Sequence, residues 1–157
     1  MEWLLVLRWA HILGATVLMG SGAGIAFFMV MAQRSRDPAL IAHVAGIVVI
    51  ADTLFTATAA IVQPITGVLL ALETGWDLTE SWILTAIELY IVVGVFWLPV
   101  VWIQIQLRDL ARAAAANNTP LPPRYHRLYR IWFAFGFPAF AAMLAILWVM
   151  IAQPDLW

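Results

Sequence analysis

Positions 81–107 read SWILTAIELYIVVGVFWLPVVWIQIQL, and Glu88 is the one charged side chain in this run. A helix of about 20 apolar residues already crosses the roughly 30 Å hydrocarbon core of a bilayer, because each residue adds about 1.5 Å. The run exceeds that length. It therefore predicts a transmembrane helix rather than a buried helix of a water-soluble domain.

Three further apolar runs of similar length accompany the first one. The whole chain is 64% apolar and 11% charged, whereas soluble domains are about half apolar and about a quarter charged. The lipid bilayer is thus the expected surrounding of most side chains. We predict an all-α fold, a bundle of four transmembrane helices in a single integral membrane domain over residues 1–157. The spans are expected at about 3–31, 42–72, 81–107 and 128–152.

The arginines predict the orientation of this bundle. All eight basic residues are arginines. Six of them fall in the connections 32–41 and 108–127, and Arg130 lies at the start of the fourth span, next to the second of these connections. The connection between the second and third spans carries Glu73, Asp77 and Glu80 and no positive charge. Because basic residues concentrate in cytoplasmic connections, 32–41 and 108–127 are predicted to be the cytoplasmic loops. Both termini are then expected on the opposite side of the membrane.

Composition and motifs exclude several classes of function. The chain has no cysteine, which rules out disulfides, thiolate metal sites and cysteine nucleophiles. A net charge of −1 gives no indication of a nucleic-acid partner. The sequence shows no nucleophile–base motif, phosphate-binding loop or EF-hand spacing. No catalytic residue is assigned, and enzymatic activity is left open.

A layer of polar side chains is predicted in the outer leaflet. Arg8 and His11 are three residues apart, so they share a face of the first span. Counting helical rise places Glu88 and Gln63 at a similar depth in the third and second spans. Polar side chains are costly in lipid, and they are therefore expected to face the interior of the bundle.

Three interpretations of this layer are compatible with the spacing. In the first, haem b binds with His11 as its axial metal ligand, Arg8 lies near a propionate and Gly14 leaves room for the macrocycle. The sixth ligand would come from Met143, Met150, Gln63 or a second protomer. In the second, Glu88 and His11 exchange protons at a quinone or proton site. In the third, an Arg8–Glu88 ion pair and a His11–Gln63 hydrogen bond hold the helices together.

Other features of the spans bear on packing and transport. Asp52 lies slightly to the cytoplasmic side of mid-membrane, with Thr56 one turn further on and no basic residue at its depth. It is expected to be protonated, paired with a hydroxyl or part of a polar path, and in a transporter Asp52 and Glu88 would be the proton-coupled sites. The small residues 20–24 have GxxxG spacing, which favours close packing inside the monomer or, alternatively, association with another protomer. Tryptophans are expected at the two membrane interfaces: Trp3, Trp76, Trp82, Trp148 and Trp157 outside, and Trp132 inside.

Several of these motifs resemble known bacterial membrane proteins. The pattern Arg8-x-x-His11-x-x-Gly14 resembles the first span of HemJ-type membrane protoporphyrinogen oxidases and copper-resistance D-like membrane proteins. Tyr129-Arg130 is similar to the start of the oxidase's final helix. The segment 63–67, with the terminal Pro154, is similar to a family of predicted four-span integral membrane proteins of unknown function. The resemblance implies a bacterial cytoplasmic (inner) membrane, periplasmic termini and His11 as a haem ligand.

The sequence therefore leads to one functional hypothesis and two alternatives. The leading hypothesis is a haem-b-binding redox or electron-transfer accessory protein, with its cofactor held by Arg8, His11, Gly14, Gln63 and Glu88. The first alternative is a non-catalytic subunit or assembly partner of a larger membrane complex, or a homo-oligomer. The second alternative is a small proton-coupled transporter.

Overall fold

The computed structural model describes residues 2–157, which are 88% helical and contain no strands. Within that range the helices are α1 (Glu2–Ser35), α2 (Pro38–Ala51), α3 (Ala57–Thr74), α4 (Ser81–Ala116) and α5 (Pro123–Ala152). Helices α2 and α3 continue into each other through a π-helical turn at Asp52–Thr56 and form one span, Pro38–Thr74. The described residues thus give four helices long and apolar enough to cross a membrane, which confirms the predicted fold class.

Local sequence signals set the ends of the helices at the arginine-rich end. Arg36 adopts the left-handed conformation, with φ 59°, and terminates α1. Asp37 then caps α2, because its carboxylate accepts a hydrogen bond from the Ala39 backbone N–H at 2.9 Å. Pro38 occupies the first turn of α2, where its missing N–H costs nothing. A connection of two residues therefore suffices to make α1 and α2 antiparallel neighbours.

The opposite end is closed by an acidic turn and by the C-terminal tail. Gly75 takes a left-handed conformation, with φ 77°, at the end of α3. The backbone N–H and the hydroxyl of Thr79 both donate to Asp77, and they hold the pKa of this exposed carboxyl below its ordinary value. The Ser81 hydroxyl at the start of α4 donates to the Pro154 carbonyl at 3.2 Å. The tail after α5 therefore lies beside the start of α4.

The apolar core lies in the half of the bundle nearest the arginines. All four spans contribute to it, and its fully covered side chains include Met29, Ile41, Leu107 and Tyr125. Toward the other end, α1 packs on α3 and α4 packs on α5. The bundle is therefore tightest between mid-membrane and the arginine-rich connections.

A proline in α3 explains one contact between the second and third spans. Pro64 has no N–H to offer the Ala60 carbonyl one turn earlier, so this carbonyl lacks its helical partner. The Tyr90 hydroxyl of α4 donates to it. A hydroxyl from a neighbouring helix thereby satisfies the backbone group that the proline leaves free, as membrane helices require.

Two expectations about packing are wrong. A Cβ added at Gly20, Gly22 or Gly24 would meet no side chain or neighbouring helix of the described residues within 4 Å, so these glycines do not form a close helix–helix contact in the monomer. Trp132 is 5% exposed and belongs to the core, not to an interfacial belt. Its indole N–H instead contributes to the central polar cluster described next.

Candidate functional site

Asp52 is the one acidic or basic residue that is buried among residues 2–157. It is 3% exposed and begins the π-helical turn that joins α2 to α3. At about 1.5 Å per residue, it lies about 21 Å from the start of the span at Pro38 and about 33 Å from its end at Thr74. Asp52 is therefore in the hydrocarbon region, away from both interfaces.

Helix α4 supplies two hydrogen-bond donors to this carboxyl. The Trp97 indole N–H donates to Oδ1 of Asp52 at 3.2 Å. Gln104, itself 3% exposed, lies between Asp52 and Trp132 of α5. An indole N–H can only donate, so the Gln104 oxygen must face Trp132, at 3.2 Å, and the Gln104 amide N–H donates to Oδ2 of Asp52 at 3.1 Å. Trp132 thus fixes the orientation of the amide that faces the carboxyl.

Helix α1 joins the cluster through hydroxyl groups. Thr56 closes the π-helical turn that Asp52 begins, and both residues are buried. The Thr56 hydroxyl also lies 2.9 Å from that of Ser21 on α1. All four spans therefore contribute to one set of side chains, which we term the central polar cluster: Ser21, Asp52, Thr56, Trp97, Gln104 and Trp132.

The central polar cluster surrounds a carboxyl with neutral donors. Among residues 2–157, the one ion pair within 4.0 Å joins the neighbours Arg108 and Asp109 near the surface, so no cation is paired with Asp52. Donors reach both carboxylate oxygens, which stabilises the ionised form without a counter-charge. An amide can also accept through its oxygen, so Gln104 can serve the protonated form as well. The arrangement is suited to holding and releasing a proton.

A second polar contact joins His11 to α3. Nδ1 of His11 lies 2.9 Å from the Thr66 hydroxyl, and Nε2 lies 3.2 Å from the Gln63 amide nitrogen. The Thr66 hydroxyl donates in turn to the Val62 carbonyl at 3.0 Å. Both ring nitrogens of His11 are therefore engaged in packing α1 on α3. The structure brings together His11 and Gln63, as one of the three interpretations expected.

Two glycines allow this close contact. A Cβ at Gly14 would overlap the Gln63 side-chain oxygen, and a Cβ at Gly67 would lie 3.1 Å from Cε1 of His11. Gly14 thus makes room for Gln63 rather than for a macrocycle. Haem iron needs a free imidazole nitrogen, and in this structure neither nitrogen of His11 is free. The residues around His11 do not fit a haem in this arrangement.

Arg8 and Glu88 do not join the contact between His11 and Gln63. Both side chains are exposed. Glu88 shares the outward stripe of α4 with Ile91 and Val95, which are 60% and 61% exposed. The expected Arg8–Glu88 ion pair is absent from the described part of the chain. The polar layer predicted in the outer leaflet is therefore divided between the bundle interior and its lipid-facing surface.

Other side chains that the sequence singled out lie elsewhere. His43 and His126 are exposed at the arginine-rich end. No group of three or more His, Cys, Asp or Glu side chains that could hold a metal ion is seen among residues 2–157. The partners of Asp52 were missed because Trp97, Gln104 and Trp132 look like packing residues of apolar helices. The sequence does contain one indication of these partners. Trp97 and Gln104 are separated by two helical turns, so they share a face of α4.

Fold and site together define a four-span helical membrane protein with a buried carboxyl at mid-membrane. The chain belongs to the family described as predicted integral membrane protein (DUF2269), whose model matches residues 5–154. No curated protein and no solved structure matches the chain.

Proposed function

We propose that this protein is a proton-coupled membrane protein, in its simplest form a small transporter, in which Asp52 binds and releases a proton at mid-membrane. The observation that carries the proposal is the central polar cluster, where neutral donors from α4 hold a buried carboxyl at the start of the π-helical turn. Ionisable residues inside membrane helices are costly and commonly mark proton relays. Single π-helical turns are frequent at functional sites.

Protonation of Asp52 would change the contact between α4 and α5. The ionised carboxyl accepts from the Gln104 amide, while the Gln104 oxygen accepts from Trp132. A protonated carboxyl has an O–H that must donate, and the Gln104 oxygen is an acceptor within reach. Turning the amide to meet that O–H withdraws its oxygen from Trp132. The proton on the second span is thereby linked to the hydrogen bond between α4 and α5.

Charge displacement after a pH jump tests this proposal without a known substrate. Protein reconstituted in vesicles on a solid-supported membrane should give a transient current when a proton enters or leaves the bilayer interior. The current should vanish in Asp52→Asn and persist in Glu88→Gln, which removes a carboxyl from the lipid-facing surface. A transient of full size in Asp52→Asn would place the proton-binding group elsewhere and overturn the proposal.

We infer that the arginine-rich end faces the cytoplasm, because basic connections are retained on that side. The chain has no cysteine, so single introduced cysteines report position cleanly. Ala116→Cys and Glu73→Cys lie at opposite ends and are both exposed. A membrane-impermeant maleimide should label Glu73→Cys in intact spheroplasts and label Ala116→Cys only after permeabilisation. The reverse pattern would contradict the orientation.

A second candidate function, assembly with another copy of this chain, is favoured by the exposed charges of α1 and α4. Glu88 is seven residues from the start of α4, and Arg8 is six residues from the start of α1, so each lies about 10 Å along its helix. Both helices start at the same end of the bundle. Charges facing lipid are costly, and pairing relieves the cost. In a two-fold dimer, Arg8 would meet Glu88 of the partner subunit, and the reverse contact would form by symmetry.

Charge reversal tests the dimer. Single variants Arg8→Glu and Glu88→Arg each place like charges together, and we expect dimerisation about tenfold weaker or worse, because like-charge juxtaposition costs several kcal/mol. The double variant restores complementary charges and should recover the dimer. Energy transfer between labelled copies in vesicles measures the association, with Arg127→Glu as the control at an exposed site. A double variant no better than the single variants would contradict the pairing.

A further inference from the structure

A cleft of about 360 Å³ lies between the end of α1 and the first half of α5, at the arginine-rich end. Arg34, Arg36 and Gln33 line it from α1 and the turn that follows, and Tyr129 lines it from α5. Val30 and Phe133 complete the lining with apolar side chains. None of these six described residues is acidic. The cleft therefore combines positive charge and hydrogen-bond donors with an apolar wall.

The end of α1 and the turn after it give this cleft its two arginines. The left-handed conformation of Arg36 ends the helix, and its backbone N–H donates to the Gln33 carbonyl at 3.3 Å. Two arginines separated by one residue on a continuing helix would point in different directions. The reversal of the chain at Arg36 instead lets both Arg34 and Arg36 line one cleft.

A hydrogen bond from the Tyr125 hydroxyl determines which atoms of the Gln33 side chain remain available. The Tyr125 hydroxyl donates to the Gln33 side-chain oxygen at 2.9 Å, and Tyr125 is fully buried. Because its oxygen is thus engaged, Gln33 has its amide N–H groups left to offer. The polar side chains lining the cleft are those of Arg34, Arg36, Gln33 and Tyr129, and one nitrogen of the Arg34 guanidinium also lies 3.9 Å from the Met31 sulfur. Guanidinium and amide donors in this combination match the oxygen atoms of a phosphate.

We propose that this cleft binds a phosphate group at the membrane interface, supplied by an anionic phospholipid headgroup or by free phosphate. The guanidinium groups of Arg34 and Arg36 contact the phosphate oxygens. Val30 and Phe133 continue from the cleft onto the lipid-facing surface of α1 and α5, where an acyl chain can lie. Basic pockets between transmembrane helices bind anionic headgroups by the same chemistry.

The site is tested by adding dioleoylphosphatidylglycerol, dioleoylphosphatidylcholine or inorganic phosphate to purified protein at constant ionic strength. Thermal unfolding and native mass spectrometry then report bound ligand. Phosphatidylglycerol should raise the melting temperature and stay bound, whereas phosphatidylcholine should not. Stabilisation by inorganic phosphate, with no preference between the two lipids, would support a free phosphate as the ligand.

Matched variants identify the residues responsible. The double variant Arg34→Gln/Arg36→Gln should weaken binding on the order of thirtyfold, since each arginine near an anionic surface contributes about a factor of five. Arg127→Gln/Arg130→Gln removes the same charge from exposed positions on the same end of the molecule and should retain binding. Tyr129→Phe, which keeps the ring, should weaken binding severalfold. Equal losses in both double variants, or no discrimination among the three additives, would overturn the proposal.

Discussion

Replacing Asp52 with asparagine should destabilise the protein, although the new side chain has the same shape. The Asp52 carboxylate accepts from Trp97 and from Gln104. An asparagine can accept at its oxygen, but its NH₂ then faces another donor. Turning Gln104 only moves the conflict to Trp132, which has nothing but an N–H to offer. We expect a loss of about 1–3 kcal/mol, the usual cost of an unsatisfied buried donor.

A compensating change tests the same hydrogen-bond pattern. In Asp52→Asn/Gln104→Glu, the new carboxylate accepts from Trp132 and from the asparagine NH₂, and the asparagine oxygen accepts from Trp97. The double variant should therefore recover most of the lost stability in a thermal unfolding assay in detergent. Glu88→Gln is the control, because Glu88 lies outside the cluster. Unchanged stability in Asp52→Asn, or a double variant less stable than the single one, would contradict this hydrogen-bond pattern.

Protein purified in mild detergent from haem-replete cells should show no Soret band, either oxidised or after reduction with dithionite. Nδ1 and Nε2 of His11 are occupied by Thr66 and Gln63, and Gly14 is covered by Gln63. Ligation of iron through Nε2 would require the Gln63 amide to leave its contact with His11. The expected difference is all or none, since haem absorbs strongly and the apoprotein is colourless.

The same absorption spectrum tests whether His11 binds haem. A Soret band that shifts on reduction, at near-stoichiometric haem, would contradict the packing of His11 against α3. Loss of that band in His11→Ala and its retention in His43→Ala would then assign the ligand. Without such a band, His11, Gln63 and Thr66 remain a hydrogen-bonded contact that holds two spans together.

The sequence alone predicts the spans and several of their ends. Long apolar runs leave a chain no stable alternative to helices in lipid, since backbone groups must be satisfied internally. Asp37 and Pro38 also behave as their residue types predict, because capping depends on neighbours in the chain. These features depend on residues that are close together in the chain, so a single sequence is enough to predict them.

The partners of Asp52 and Glu88 could not be predicted in the same way. Depth follows from counting residues, but the direction of a side chain depends on how each helix is rotated about its axis. Glu88 has nearly the depth expected, yet it faces outward with Ile91 and Val95. Asp52 looked unpartnered because its donors are indole and amide groups on α4, not basic residues. No fixed spacing of residues in the sequence predicts hydrogen bonds of this kind between different helices.

A change in the protonation state of Asp52 inside the membrane can be observed by infrared difference spectroscopy across a pH titration. A protonated carboxylic acid has a C=O stretching band distinct from the bands of a carboxylate. We expect this band to appear as the pH falls, to be present in Glu88→Gln and to be missing in Asp52→Asn. A titrating band that persists in Asp52→Asn, or a wild-type spectrum without any titrating buried carboxyl, would contradict this expectation.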